Sequence, residues 1–115
     1  MNIEKLLSEE FVPRKISIEN IFLDPNNPRF LEIGKLGEIV EDIRIPEDSV
    51  QQECLRKLKE YFDVNSLKKS IKENGFLPTD RIAVRPLVGV KGKYVVVEGN
   101  RRLAAVKIIL KEYKS

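Results

Sequence analysis

Residues 94–114, YVVVEGNRRLAAVKIILKEYK, decide how the chain folds. Tyr94 and the three valines that follow make 94–97 a short strand without polar alternation, the pattern of a strand buried on both faces. Gly99 breaks it. From about Arg101 the period becomes helical: Leu103, Val106 and Leu110 share a stripe with Ile109 and Tyr113 beside it, while Lys107, Lys111 and Lys114 fall on another face. The stretch therefore reads as a strand, a tight glycine turn and a helix.

Arg101 and Arg102 stand at the end of that helix where cations are disfavoured. Its first N–H groups are unsatisfied and carry about half a positive charge, so each exposed cation there costs roughly 0.3 to 1 kcal/mol. An anion held by Gly99, Asn100 and the first helical N–H groups reverses the sign, because donors, dipole and guanidinium forks then converge on it. The alternative is that Glu98 or another carboxylate pairs with one arginine while water solvates the other. The spacing leaves both readings open, since glycine turns before helices are common.

A chain of 115 residues suits one domain over 1–115 with a single core. No apolar run approaches the length of about 20 residues needed to cross a membrane, and the acid-bearing start, MNIEKLLSEE, does not read as a secretory signal. A cytoplasmic protein without a membrane partner is expected. The lone cysteine, Cys54, excludes an internal disulfide, and the absence of histidine removes histidine-based triads and zinc catalysis. Net charge is +3, but seven basic residues against two acids give +5 over 91–115, leaving −2 for the first ninety. The lysines of the last helix read most simply as a solvated face.

Ahead of the decisive stretch, residues 1–14 read as an N-terminal arm. Ile16 and Ile18 alternate with polar neighbours, predicting a half-buried strand over 15–18, and DPNNPRF (24–30) predicts a loop whose prolines bar helix. Ile33, Leu36, Val40 and Ile43 predict a helix over 33–45 closed by Pro46. A helix opening at Asp48 or Ser49, with Ser49 and Gln52 as a capping box, carries Val50, Cys54, Leu58, Tyr61 and Phe62 on its apolar face, so Cys54 reads as a core residue. A further helix over 64–74 has Asp63 or Asn65 as cap and stops at Gly75, with Phe76 folding back on Ile71. Residues 81–85 predict a strand joined to 94–97 by a hairpin turn over 89–92.

GNRRLAAVK resembles the GERRxRA box of the ParB N-terminal domain, in the superfamily that also holds sulfiredoxin and ParB-like nucleases and nucleotide hydrolases. Gly99, Arg101, Arg102 and Ala105 match the box; Asn100 replaces its glutamate and Ala104 its third arginine. Asn27, Pro28 and Arg29 reproduce the family's NPR loop, which from the residues alone is equally an exposed turn without a ligand. LKKSIKENGFLP resembles the helix and loop that contact the nucleotide base, keeping Gly75 and Pro78 but lacking the glutamine of GxxQP. The position of sulfiredoxin's reactive cysteine is Asn100, so that activity is not expected. A second phosphate motif, an ENxQR-like segment, is not found in these residues, so the chain reads either as a piece of a longer protein or as a reduced domain.

The resemblance implies an α+β, ParB/sulfiredoxin-like fold with a small mixed sheet (15–18, 81–85, 93–97) covered by helices. It implies a nucleoside triphosphate, CTP or ATP, with Mg²⁺: Gly99, Asn100, Arg101 and Arg102 on the phosphates, Glu98 holding Mg²⁺ or orienting water, and Asn27, Arg29, Gly75, Phe76 and Pro78 on the base side. Further metal ligands stay unknown. Expected partners are the nucleotide, DNA through a segment outside this chain, and a second copy as a homodimer, in DNA partition, plasmid maintenance or DNA-linked regulation. The alternatives are a nuclease-like or nucleic-acid-backbone-binding domain and an interaction module without a ligand; hydrolysis stays open.

Overall fold

The computed structural model describes residues 14–75 and 82–114. In chain order these form a 3-10 turn (Ile18–Asn20), β1 (Ile21–Phe22), α1 (Pro28–Glu32), a second 3-10 turn (Asp42–Arg44), α2 (Asp48–Tyr61), α3 (Val64–Asn74), β2 (Ala83–Pro86), β3 (Tyr94–Glu98) and α4 (Asn100–Lys114). The fold is α+β with a mixed three-stranded sheet, as expected. The expected arm, apart from Arg14, and Phe76, Pro78 and Arg81 lie outside the described residues.

β3 is the central strand, parallel to β1 and antiparallel to β2. Its consecutive valines face opposite sides. Val96 joins the main core with Leu23, Phe30, Cys54, Leu58, Val64, Leu103, Ala104 and Ala105, and Val95 joins a smaller core with Ile45 and Leu87. Full burial of a side chain of this size contributes roughly 1.5 to 3 kcal/mol. Burial on both faces holds at the strand's centre only, because Val97 is 52% exposed. The β2–β3 hairpin forms as predicted, with Gly89 and Gly92 at positive φ and Leu87 N–H donating to the Lys93 carbonyl at 2.9 Å.

Four expectations need correction. The first strand is not at 15–18; the chain makes a 3-10 turn and pairs only at Ile21 and Phe22. With three residues per 3-10 turn, Ile18 and Ile21 reach the same core, so burial follows a period of three instead of two. The helix over 33–45 is absent. Gly34 at φ 69° ends α1: its N–H donates to the Leu31 carbonyl at 3.0 Å and that of Lys35 to Phe30 at 2.7 Å, a Schellman cap. Past it Leu36, Val40 and Ile45 pack inward without helical spacing, while Ile33, Ile39 and Ile43 are exposed. Nor does the proline loop exclude helix, because Pro28 occupies the first position of α1, where its missing N–H costs nothing, and Asn27 caps it. Finally, Ser49 does not cap α2; the N-cap is Glu47, without a side-chain bond.

α3 runs as predicted, capped by Asp63, which accepts from Ser66 N–H at 3.3 Å, and closed by Gly75 at φ 74°. It lies along α4, where the fully buried Ala104 and Ala105 leave room for close approach. The buried face of α4 thus centres on Leu103 to Ala105, not on the stripe through Leu110 and Tyr113, and Tyr113 is 88% exposed. Glu112 ties the two helices by bonding Lys68 at 2.7 Å and Lys72 at 2.9 Å, which hold its carboxyl down to about 2.

Cys54 is buried in the main core with Sγ 3.5 Å from the Asp24 carbonyl oxygen. Burial first, then the Asp24 charge, pushes the thiol up to about 12. Replacing it by alanine should cost on the order of 1 kcal/mol, the scale of a small buried group. The raised thiol also contributes stability that is complete below its ordinary 9.0 and is lost as pH rises from there toward about 12. Melts of wild type and Cys54→Ala on either side of pH 9 should therefore converge at the alkaline end, and a constant difference would refute this.

Candidate functional site

The glycine turn performs the geometry its sequence suggests. Gly99 at φ 104° carries the chain from β3 into α4, and Leu103 N–H donates to the Gly99 carbonyl at 2.8 Å as the first helical bond. The N–H groups of Asn100, Arg101 and Arg102 precede that bond, at the positive end of a 15-residue helix.

This turn forms one wall of a cleft of about 420 Å³. Glu98, Gly99, Asn100, Arg101 and Arg102 line that wall, and Asn27, Pro28 and Arg29 at the start of α1 line another. Phe30, Leu58, Phe62 and Leu67 complete an apolar side. Seven of the residues singled out in the sequence thus meet in one place: Asn27, Arg29, Glu98, Gly99, Asn100, Arg101 and Arg102. Gly75, at the far end of α3, does not line the cleft.

Adjacent helical residues point about 100° apart, which separates the two arginines. Arg101 reaches back to the α2–α3 junction, donating from Nη2 to the Asp63 carbonyl at 3.0 Å. Asp63 is the one non-glycine residue at positive φ among the described residues, so the bond braces a strained corner. Its carboxylate is held below the usual range, first by the bond to Ser66 and to a smaller extent by the Arg101 charge. Arg101 Nε is buried without a partner, the one such side-chain atom among the described residues. An orphaned donor of this kind costs about 1 to 3 kcal/mol unless a ligand or water satisfies it.

Asn100 has a different duty. It is 5% exposed, and its amide clasps one residue of the β1–α1 connection: Oδ1 accepts from Asp24 N–H at 2.9 Å and Nδ2 donates to the Asp24 carbonyl at 3.1 Å. Only its backbone N–H remains for an anion. Gln51 treats the preceding residue alike, bonding Leu23 N–H and C=O at 2.9 Å each. Burial lifts the Asp24 carboxyl above its ordinary value, with Asn26 N–H acting against the shift.

On the apolar side, Phe30 and Phe62 meet edge to face with centroids 5.6 Å apart, and the Arg29 guanidinium lies 5.7 Å from the Phe62 centroid. The cleft therefore has a cationic, donor-rich end and an aromatic end. Neither Phe62 nor the Asp63 carbonyl was legible as part of it: Phe62 reads as a helix-face residue, and a backbone acceptor leaves no mark in a sequence. Among the described residues no three acidic or thiol side chains gather to hold a metal. No helix among them is long and apolar enough to cross a membrane.

Comparison with known families gives one match: the ParB N-terminal domain family aligns with residues 35–113. The NPR loop precedes that range. No curated protein and no solved structure matches the chain.

The Asn100 clasp predicts an outcome for substitution. Asn100→Asp keeps the size but cannot donate to the Asp24 carbonyl and buries a charge beside Asp24, so the domain should lose about 1 to 3 kcal/mol. Denaturant unfolding measures it, and an unchanged midpoint would show that the clasp adds no net stability.

Proposed function

Because the chain belongs to the ParB N-terminal domain family, we propose that its cleft binds the phosphates of a nucleoside triphosphate and that the domain serves DNA partition or DNA-linked regulation. The carrying observation is the partnerless Arg101 Nε beside the open first turn of α4. A phosphate there supplies the acceptor that Nε lacks, takes up the N–H groups of Asn100, Arg101 and Arg102, and turns two unfavourably placed cations into favourable ones.

Arg102 supplies charge to the bound phosphates, and Arg101 both contacts them and fixes the α2–α3 corner. Glu98 is the carboxylate available to share Mg²⁺ with phosphate oxygens, the ion neutralising phosphate charge. Phe62 and the Arg29 guanidinium give the other end of the cleft a flat, sequence-tolerant surface for a base. The choice of base, CTP or ATP, stays with the titration.

Calorimetric titration with CTP, ATP, GTP and UTP, with and without Mg²⁺ and beside a DNA duplex, tests the reading. Arg102→Ala should weaken nucleotide binding by about 1.5 to 3 kcal/mol. Arg101→Ala should weaken binding and also lower the melting temperature, since the Asp63 carbonyl loses its donor. Unchanged affinity in both variants would leave the box a feature of the fold without a ligand.

A further inference from the structure

Lys107 is a half-buried cation without a counterion among the described residues. Its Nζ lies 5.2 Å from the centroid of the Phe22 ring, and no carboxylate or carbonyl among the described residues pairs with it. Burial alone lowers its pKa; no neighbouring charge acts with or against that shift. An ammonium has three donors and a ring face satisfies none of them as a hydrogen bond.

Lys107 also lines two depressions at once. One, of about 230 Å³, lies among Phe22, Leu23, Pro46 and Leu55. The other, of about 410 Å³, has Ile18 and Leu110 as its apolar residues, with Lys111 and Lys114 beside them. The two meet at Lys107 to give one mainly apolar groove that runs from β1 and α2 to α4, with lysines at its edge, away from the cleft at the helix start.

We propose that this groove docks an acidic amphipathic segment of a partner protein, which sets one carboxylate on Lys107 Nζ and apolar side chains over Ile18 and Leu110. Charge and polarity select this occupant together. A carboxylate fills the donors of Lys107, and apolar side chains cover surface that a phosphate backbone leaves wet. The groove's acids argue against nucleic acid: Asp48 lines one depression and Glu19 the other, where Glu19 lies 3.7 Å from Lys114. A polyanion would meet two carboxylates there, whereas a segment of mixed character can turn polar or basic side chains toward them.

The probe is a fluorescein-labelled peptide with leucines at i, i+3 and i+4 and glutamates along the flank, beside a twin with glutamine for each glutamate and a random-sequence DNA duplex. The glutamate peptide should bind and shift backbone amide resonances of residues 18, 107 and 110. Lys107→Met should reduce its affinity about tenfold, the scale of one charged contact, and should not lower the melting temperature, because a desolvated cation is replaced by an apolar chain. No binding of the glutamate peptide, equal binding of its glutamine twin, or unchanged affinity in Lys107→Met overturns the proposal. Duplex binding through Lys107 with the peptide silent overturns it in favour of a nucleic-acid surface.

Discussion

The clasp between the Asn100 amide and the backbone of Asp24 is the contact on which the rest of the site depends. Parallel pairing between β1 and β3 covers only Ile21 and Phe22, too little to fix where the chain goes next. Beyond β1 the sheet is in effect continued by side chains. Gln51 bonds both polar groups of Leu23, and Asn100 does the same for Asp24. Asn26 then bonds both polar groups of Val40 at 2.8 Å. Three primary amides serve as strand partners because each carries a donor and an acceptor on one rigid plane, as a peptide does. The start of α1 is thereby fixed beside the start of α4, and the cleft is the space between them.

Within that frame the electrostatics follow from where donors are left over. Lys68 and Lys72 meet Glu112, Arg85 grips Asp42 with two bonds of 2.7 and 3.0 Å, and Arg56 is shared by Glu53 and Glu60. These pairs are largely exposed and contribute little individually. At the glycine turn the balance differs: helix N–H groups, the positive end of the dipole and the buried Arg101 Nε are all donors. The turn thus keeps an excess of donors, which is the condition for holding an anion.

How much of this could be read beforehand depends on whether the signal is local. The strand, glycine turn and helix of 94–114 carry their own periodicity and punctuation, as do α3 with Asp63 ahead and Gly75 behind it, and the hairpin with its two glycines. The region 33–45 failed for the opposite reason. Its apolar spacing imitates a helix, but Ile33, Ile39 and Ile43 face solvent, and Gly34 ends one helix instead of interrupting another. The strand at 15–18 failed because a 3-10 turn buries every third residue. The α4 stripe was drawn through large side chains, whereas close packing on α3 buries the alanines. Of the cleft, the wall formed by consecutive residues was legible; its aromatic side and the Arg101–Asp63 contact join residues that only the folded chain brings together.

The structure gives a physical reason for an asparagine at position 100, where the resemblance drawn from the sequence expects a glutamate. A glutamate, when ionised, only accepts hydrogen bonds. The Asp24 carbonyl needs a donor, and the Asp24 N–H two bonds earlier along the backbone needs an acceptor; within 5% exposure an amide serves both without burying a charge. The Asn100 side chain therefore serves the fold here, holding the β1–α1 connection against the start of α4. Ala104 likewise serves the fold, since it is fully buried in the core that includes Val64 of α3. Asn100 and Ala104 thus belong to the packing of the domain, and what the turn presents to the cleft is its backbone donors, Arg101, Arg102 and the neighbouring Glu98.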